Sequence, residues 1–160
     1  LIATNLEKSY GGGQLWPYLK LSKVFLCPTD VTNKNQNKYY ASRPNKLSTY
    51  IWNGSVNGFG ALGAGSYKQS AFNPEAYYMW EPDEANYVAQ YGFNNGYNCY
   101  NDASSGLSQG EGLGRRHGKK GGIMAGFSGH VVAVTYEQYN KERLRMPGLL
   151  HCVPGSPTGD

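Results

Sequence analysis

Three histidines, three cysteines and one Phe-Ser-Gly-His run hold most of the side chains in this 160-residue sequence that are suited to chemistry. A nucleophile needs a base within hydrogen-bond reach and a third group that orients the base. No G-x-S-x-G elbow occurs, and Ser128 and His130 straddle a turn dipeptide. They are expected at the tip and far side of a hairpin, not as nucleophile and base. No cofactor-binding glycine loop is legible either. The expectation is a protein that is not an enzyme, with no catalytic residues and no cofactor.

The metal-binding residue types are present, but not in metal-binding order. Cys27, Cys99 and Cys152 lie far apart and form no C-x-x-C pair, which argues against a zinc ribbon and a thioredoxin-like redox motif. One disulfide and one free thiol is the simplest account of them. His117, His130 and the adjacent His151 and Cys152 supply nitrogen and sulfur, yet their spacings match no zinc motif. They read as a loop residue, a hydrogen-bonded sheet residue and part of the tail, so no metal site is expected. Calcium is an alternative at Asn101-Asp102, Ser104-Ser105 and Glu111, which place hard oxygens in one loop. The D-x-[DN]-x-[DN]-G order is missing there, and a solvated loop is the preferred reading.

The net charge is +4, from 15 basic and 11 acidic side chains, and nucleic acid is not an expected partner. The densest basic run, Arg115-Arg116-His117-Gly118-Lys119-Lys120, reads as a solvated loop. The acidic turn Glu81-Pro82-Asp83-Glu84 offers it an opposite-sign partner, within the molecule or across a subunit contact.

The elements that would position these residues are those of one domain over 1–160, with 22 glycines and 14 tyrosines marking a turn-rich globular chain. Residues 1–22 read as a helix end, a Gly11-Gly12-Gly13 break and one helical turn around Trp16 to Leu21. Val24 to Cys27 reads as a short buried strand or extended segment closed by Pro28, and Ser48 to Trp52 as a second strand ended by Asn53-Gly54. Asn53-Gly54-Ser55 fits a glycosylation acceptor, but Asn-Gly is first a turn dipeptide. Ala76 to Trp80 is a further strand, and 92–114 is loop. Gly122 to Phe127 and His130 to Thr135 are apolar runs joined by Ser128-Gly129, the pattern of a tight two-residue β-hairpin covered on both faces. Thr135 and Gln138 fit a capping box for a short helix over 137–143. The remainder of 137–160 is an irregular tail, loose unless Cys152 ties it down. No stretch reaches the roughly 18 apolar residues of a membrane span. A start at Leu1 suggests a processed product whose export signal has been removed.

Taken in order, these landmarks resemble a bacterial prepilin-type family related to type II secretion pseudopilins, marked by a motif of His, nine residues and Asp-Gly. Trp16-Pro17-Tyr18-Leu19 is similar to its helix before the first strand, and Cys27-Pro28-Thr29-Asp30 to its Cys-Pro-Ser-Asp segment. Ser48-Thr49-Tyr50 with Asn53-Gly54, and Met79-Trp80-Glu81, match two of its strands. Arg116-His117 through Phe127-Ser128-Gly129-His130-Val131 resembles its Arg-His and Phe-Asp-Gly-His-Val stretch, and Cys152-Val153-Pro154-Gly155 its terminal Cys-Asn-Pro-Gly. Two positions depart: ten residues follow His117 before the turn, and Ser128 stands where the family has Asp.

The resemblance implies an α+β pilin-like head with a four-stranded antiparallel sheet, short helices and long Gly/Asn-rich loops. The sheet would lie on a long apolar N-terminal helix that this sequence does not include. It implies a structural subunit of an extracellular pilus-, pseudopilus- or filament-like assembly, exported through a removed prepilin-type signal. Partners would be copies of itself or other pilin-like subunits, and membrane contact would come only through that helix. It also implies a Cys27–Cys152 disulfide. The alternative is a secreted, aromatic-rich module that binds polysaccharide.

Overall fold

A computed structural model describes residues 6–32, 39–43, 46–56, 65–91, 104–105 and 112–156. Cys99, most of the 92–114 loop and, of the candidate calcium ligands, Asn101, Asp102 and Glu111 lie outside them. Ser104 and Ser105 are described only as backbone.

The fold is α+β. Its helices are α1 (Leu6–Gly11), α2 (Trp16–Leu19), α3 (Pro28–Thr32), α4 (Glu84–Tyr91) and α5 (Tyr136–Glu142). Its strands are β1 (Ile51–Asn53), β2 (Tyr77–Trp80), β3 (Ser104–Ser105), β4 (Gly121–Gly126) and β5 (Val131–Thr135), in the sheet order β3-β1-β2-β4-β5. Four strands are mutually antiparallel, as expected, and the two-residue β3 adds a parallel pairing beside β1.

Cross-strand partners share a face, so the register separates two surfaces. The row Ile51, Trp80, Met124 faces inward and joins Val134, Leu113, Tyr139 and Leu150 in the main core. The row Trp52, Met79, Ala125, Val131 faces the other way, with Ile123 and Ala133 beside it. None of these six residues is buried. The unbroken apolar runs of the hairpin therefore do not mean cover on both faces: β5 is an edge strand, and Val131 is 68% exposed.

The helices follow local chemistry. The Thr135 side chain accepts from the Gln138 amide while Gln138 accepts from the Thr135 amide, the expected capping box of α5. Pro17 stands in the first turn of α2, and Lys20 closes that helix in the left-handed conformation at φ 46°. Val24 to Cys27 is not a strand: Ser22–Phe25 is a 3-10 turn, and Val24 is exposed. Among the described residues no strand pairs with this run; Leu26 is extended, and the Phe25 carbonyl accepts the Thr49 amide.

The hairpin turn is one residue longer than expected. The Gly126 amide donates to the His130 carbonyl, leaving Phe127, Ser128 and Gly129 as a three-residue loop with Gly129 at φ 85°. That is the connection in which a left-handed residue follows a tight turn and sets the bulge. A Cβ at Gly129 would meet nothing within 4 Å. The cost of replacement there is therefore conformational, not steric crowding. Gly129→Val is expected to destabilise by about 1–3 kcal/mol and Gly129→Asn by distinctly less, read as urea midpoints. Equal midpoints for the two variants would contradict the left-handed assignment.

Candidate functional site

The charged residues of the acidic turn and the basic run meet inside the protein. Arg43, whose side chain is fully buried, donates to Asp30 from Nη1 and Nη2 at 2.7 and 2.9 Å, and to Glu84 from Nε and Nη2 at 2.8 and 2.5 Å. Both carboxylates are held in two-pronged fashion, the geometry a planar guanidinium suits best. Arg116 extends the network, with Nε 2.9 Å from Asp30, Nη2 3.5 Å from Glu84 and Nη1 3.8 Å from Glu81. Arg115 pairs outside it with Asp83 at 2.7 Å and lies over the Tyr136 ring. Arg115 and Arg116 of the basic run thus find acidic partners within the molecule, and Arg116 is a core residue, not a solvated one, whereas Lys119 and Lys120 are exposed.

Local structure aims these side chains. Cys27 begins α3: its carbonyl accepts from the Asp30 and Val31 amides, which places Asp30 in the first turn. Asp83 begins α4, its side chain accepting from the Asn86 amide and its carbonyl from the Tyr87 amide, which turns Glu84 inward. Glu81 leaves β2 and accepts the Gly114 amide on its carbonyl at 2.7 Å, tying the strand end to the loop that carries Arg116 and His117.

At the margin of the network, His117 Nε2 lies 3.3 Å from Cys27 Sγ and 3.1 Å from Glu81 Oε2. Both neighbours address the same ring nitrogen. A nucleophile relay uses the two nitrogens for different partners, so Cys27 and Glu81 do not form one through His117. Burial and then the hydrogen bond to Glu81 push the Cys27 thiol above its usual range. Glu81 Oε1 is buried and has no hydrogen-bond partner.

Ser128 and His130 do meet, against expectation: Oγ and Nδ1 are 2.6 Å apart at the hairpin tip. The loop is tight enough for a residue to reach its second neighbour. The backbone donors around them are committed, however. The amides of Phe127, Ser128 and Gly129 go to the carbonyls of Ala76, Pro74 and Gly126, so these three are not free to stabilise an oxyanion. The contact pins the turn, and the His130 ring lies so close to Gly126 that a Cβ there would sit 2.0 Å from it. His151 Nε2 lies 2.9 Å from the Arg143 carbonyl, which fixes the tail to the end of α5.

The implied disulfide is corrected. Cys27 and Cys152 are both free thiols, in different surroundings. Cys152 packs with Phe72 and Ala76, where burial raises its pKa to about 11. The tail is not loose without that bond. Asn53, fully buried, donates to the carbonyls of Leu150 and Tyr77 and accepts from the Ser55 amide, while the Tyr77 amide donates to Leu149. Asn53 is therefore a structural residue, closed to glycosylation in the folded protein.

The chain matches no family model, no curated protein and no solved structure.

Removing one member of a buried ion network strands the others. Arg43→Met is expected to cost about 3–5 kcal/mol or prevent folding, whereas Arg115→Ala, at a 65% exposed side chain, should cost under about 1 kcal/mol. Chemical denaturation of both variants checks this. A pH effect follows from Cys152. The unfolded thiol ionises near 9.0 and the folded one near 11, so the unfolded chain loses its proton first. Stability should therefore fall as pH rises from about 9 to about 11, with a shallower fall in Cys152→Ala.

Proposed function

We propose that this chain is the globular head of a prepilin-type filament subunit, a structural protein of an extracellular assembly and not an enzyme. The observation that carries this reading is the outward row Trp52, Met79, Ala125 and Val131 with Ile123 and Ala133. It is an apolar sheet face with no buried residue in it. A water-facing antiparallel sheet ordinarily alternates apolar and polar residues. Here both faces are apolar, and only one is covered by the rest of the described chain. The family that the sequence resembles lays such a face on a long apolar helix, which fits the composition of this row.

The landmarks of the resemblance support the same reading. Cys27, Asp30, Glu81, Arg116 and His117 come from three separated stretches and meet in one network. Such a network organises a head whose loops vary around it.

The polysaccharide-binding alternative has one observation in its favour, a groove of about 460 Å³ whose lining includes Trp52, Tyr67, Tyr78 and Phe127. Its rings are largely spent on one another: Phe72 and Phe127 stack at 4.5 Å and 5°, and Tyr78 leans on both Trp52 and Phe127. That leaves less open ring face for a sugar and favours the structural reading.

Immunogold electron microscopy of the source cells tests the proposal, and labelled filaments are the expected result. Ile123→Lys combined with Val131→Lys should abolish them while moving the melting temperature of the head by no more than a few degrees, since both side chains are exposed. Label confined to non-filamentous material, or filaments unaffected by the double substitution, would overturn it.

A further inference from the structure

We propose that Cys27, Glu81 and His117 form a binding site for one zinc-like divalent transition-metal ion. Among the described residues these three offer ligand atoms that all lie within 4.8 Å of one another. Zinc holds sulfur at about 2.3 Å and nitrogen or oxygen at about 2.0–2.2 Å. Tetrahedral angles then put neighbouring ligand atoms about 3.3–3.6 Å apart. The observed separations are 3.3 Å for Sγ and Nε2 and 3.1 Å for Nε2 and Oε2, each within a few tenths of an ångström of those values, and Sγ lies within 4.8 Å of the Glu81 carboxylate.

Three further observations bear on the site. Glu81 Oε1, on the same carboxylate as the Oε2 that faces His117, is buried without a hydrogen-bond partner, as is Arg116 Nη1 at 3.8 Å from that Oε2, and a buried carboxylate oxygen of that kind needs an explanation. Among the described residues the connected network carries two guanidinium groups, Arg43 and Arg116, against three carboxylates, Asp30, Glu81 and Glu84. A dication bound with the Cys27 thiolate brings that buried excess of one negative charge to zero. Two of the three ligand residues are also tied by their backbone before any ion arrives: the Cys27 amide donates to Thr49 Oγ1 at 2.6 Å, and the Glu81 carbonyl accepts the Gly114 amide.

A mixed sulfur, nitrogen and oxygen set selects zinc or cobalt over magnesium and calcium, which take oxygen. The His117 side chain is 38% exposed, so the ion has an entry path and a fourth position open to water. The individual residues were visible in the sequence, but the ligands come from three separate segments, and no zinc spacing announces them. The inference stands apart from the filament reading, since a head with or without metal can assemble.

Cobalt(II) titration of the purified protein tests it. A near-ultraviolet thiolate-to-cobalt band and the visible bands of a four-coordinate ion are expected, with zinc raising the melting temperature and magnesium and calcium leaving it unchanged. His117→Ala changes an exposed residue and should fold, and it should lose most of the affinity, about tenfold or more. Cys27→Ser should lose the near-ultraviolet band. No band in the folded protein, no thermal shift with zinc, a near-ultraviolet band retained in Cys27→Ser, or an unchanged cobalt affinity in His117→Ala would overturn the assignment.

Discussion

A guanidinium with no solvent exposure survives only where its charge is answered from several sides, and Arg43 is answered by Asp30 on one side and Glu84 on the other. This constraint reaches far along the chain. Asp30 must sit in the first turn of α3, so Cys27 must begin that helix. Glu84 must open α4, so β2 must stop at Trp80 and turn at Pro82. Arg116 shares both carboxylates, which draws the loop ahead of β4 across the top of the sheet. The short helices bury little apolar surface of their own, and their placement follows from where these charges must be.

A second anchor works with neutral groups. Asn53, at the end of β1, holds β2 and the tail together through two backbone carbonyls. A buried amide with its bonds satisfied specifies one arrangement, because any slip of the tail strands its donors. Leu150 then completes the main core, and Cys152 a smaller one with Phe72 and Ala76. The tail is held by packing and hydrogen bonds where a covalent link was expected.

The sequence was most informative where structure is local. The capping box at Thr135 and Gln138, the β2 segment and the hairpin from Gly122 to Thr135 follow from residues close together in the chain. Cover was less legible: an apolar run such as Val131 to Val134 looks the same whether a sheet lies in the middle of a protein or at its edge. Helix α4 went unread because Asp83 and Glu84 look like surface charge, although Pro82-Asp83 is a helix-start signal. The ion network was legible only as two patches of opposite sign. That they meet indoors depends on Arg43, which sits in a polar stretch with nothing to mark it. The meeting of Cys27, Glu81 and His117 is likewise a product of topology, spread over 90 residues of chain.

The sheet order leaves β5 with one rail of backbone amides and carbonyls that no other described strand takes up. Edges of this kind are templates for further strands, and natural proteins shorten, charge or cover them. Here the strand is five residues long and runs straight into α5, whose exposed Glu137 and Lys141 stand at its end. Brevity and those charges limit edge-to-edge growth, and at the other end the exposed Glu75 stands beside His130, next to Val131. A further strand would pair along this edge backbone to backbone, a contact that reads no side-chain pattern and so differs in kind from packing on the apolar face.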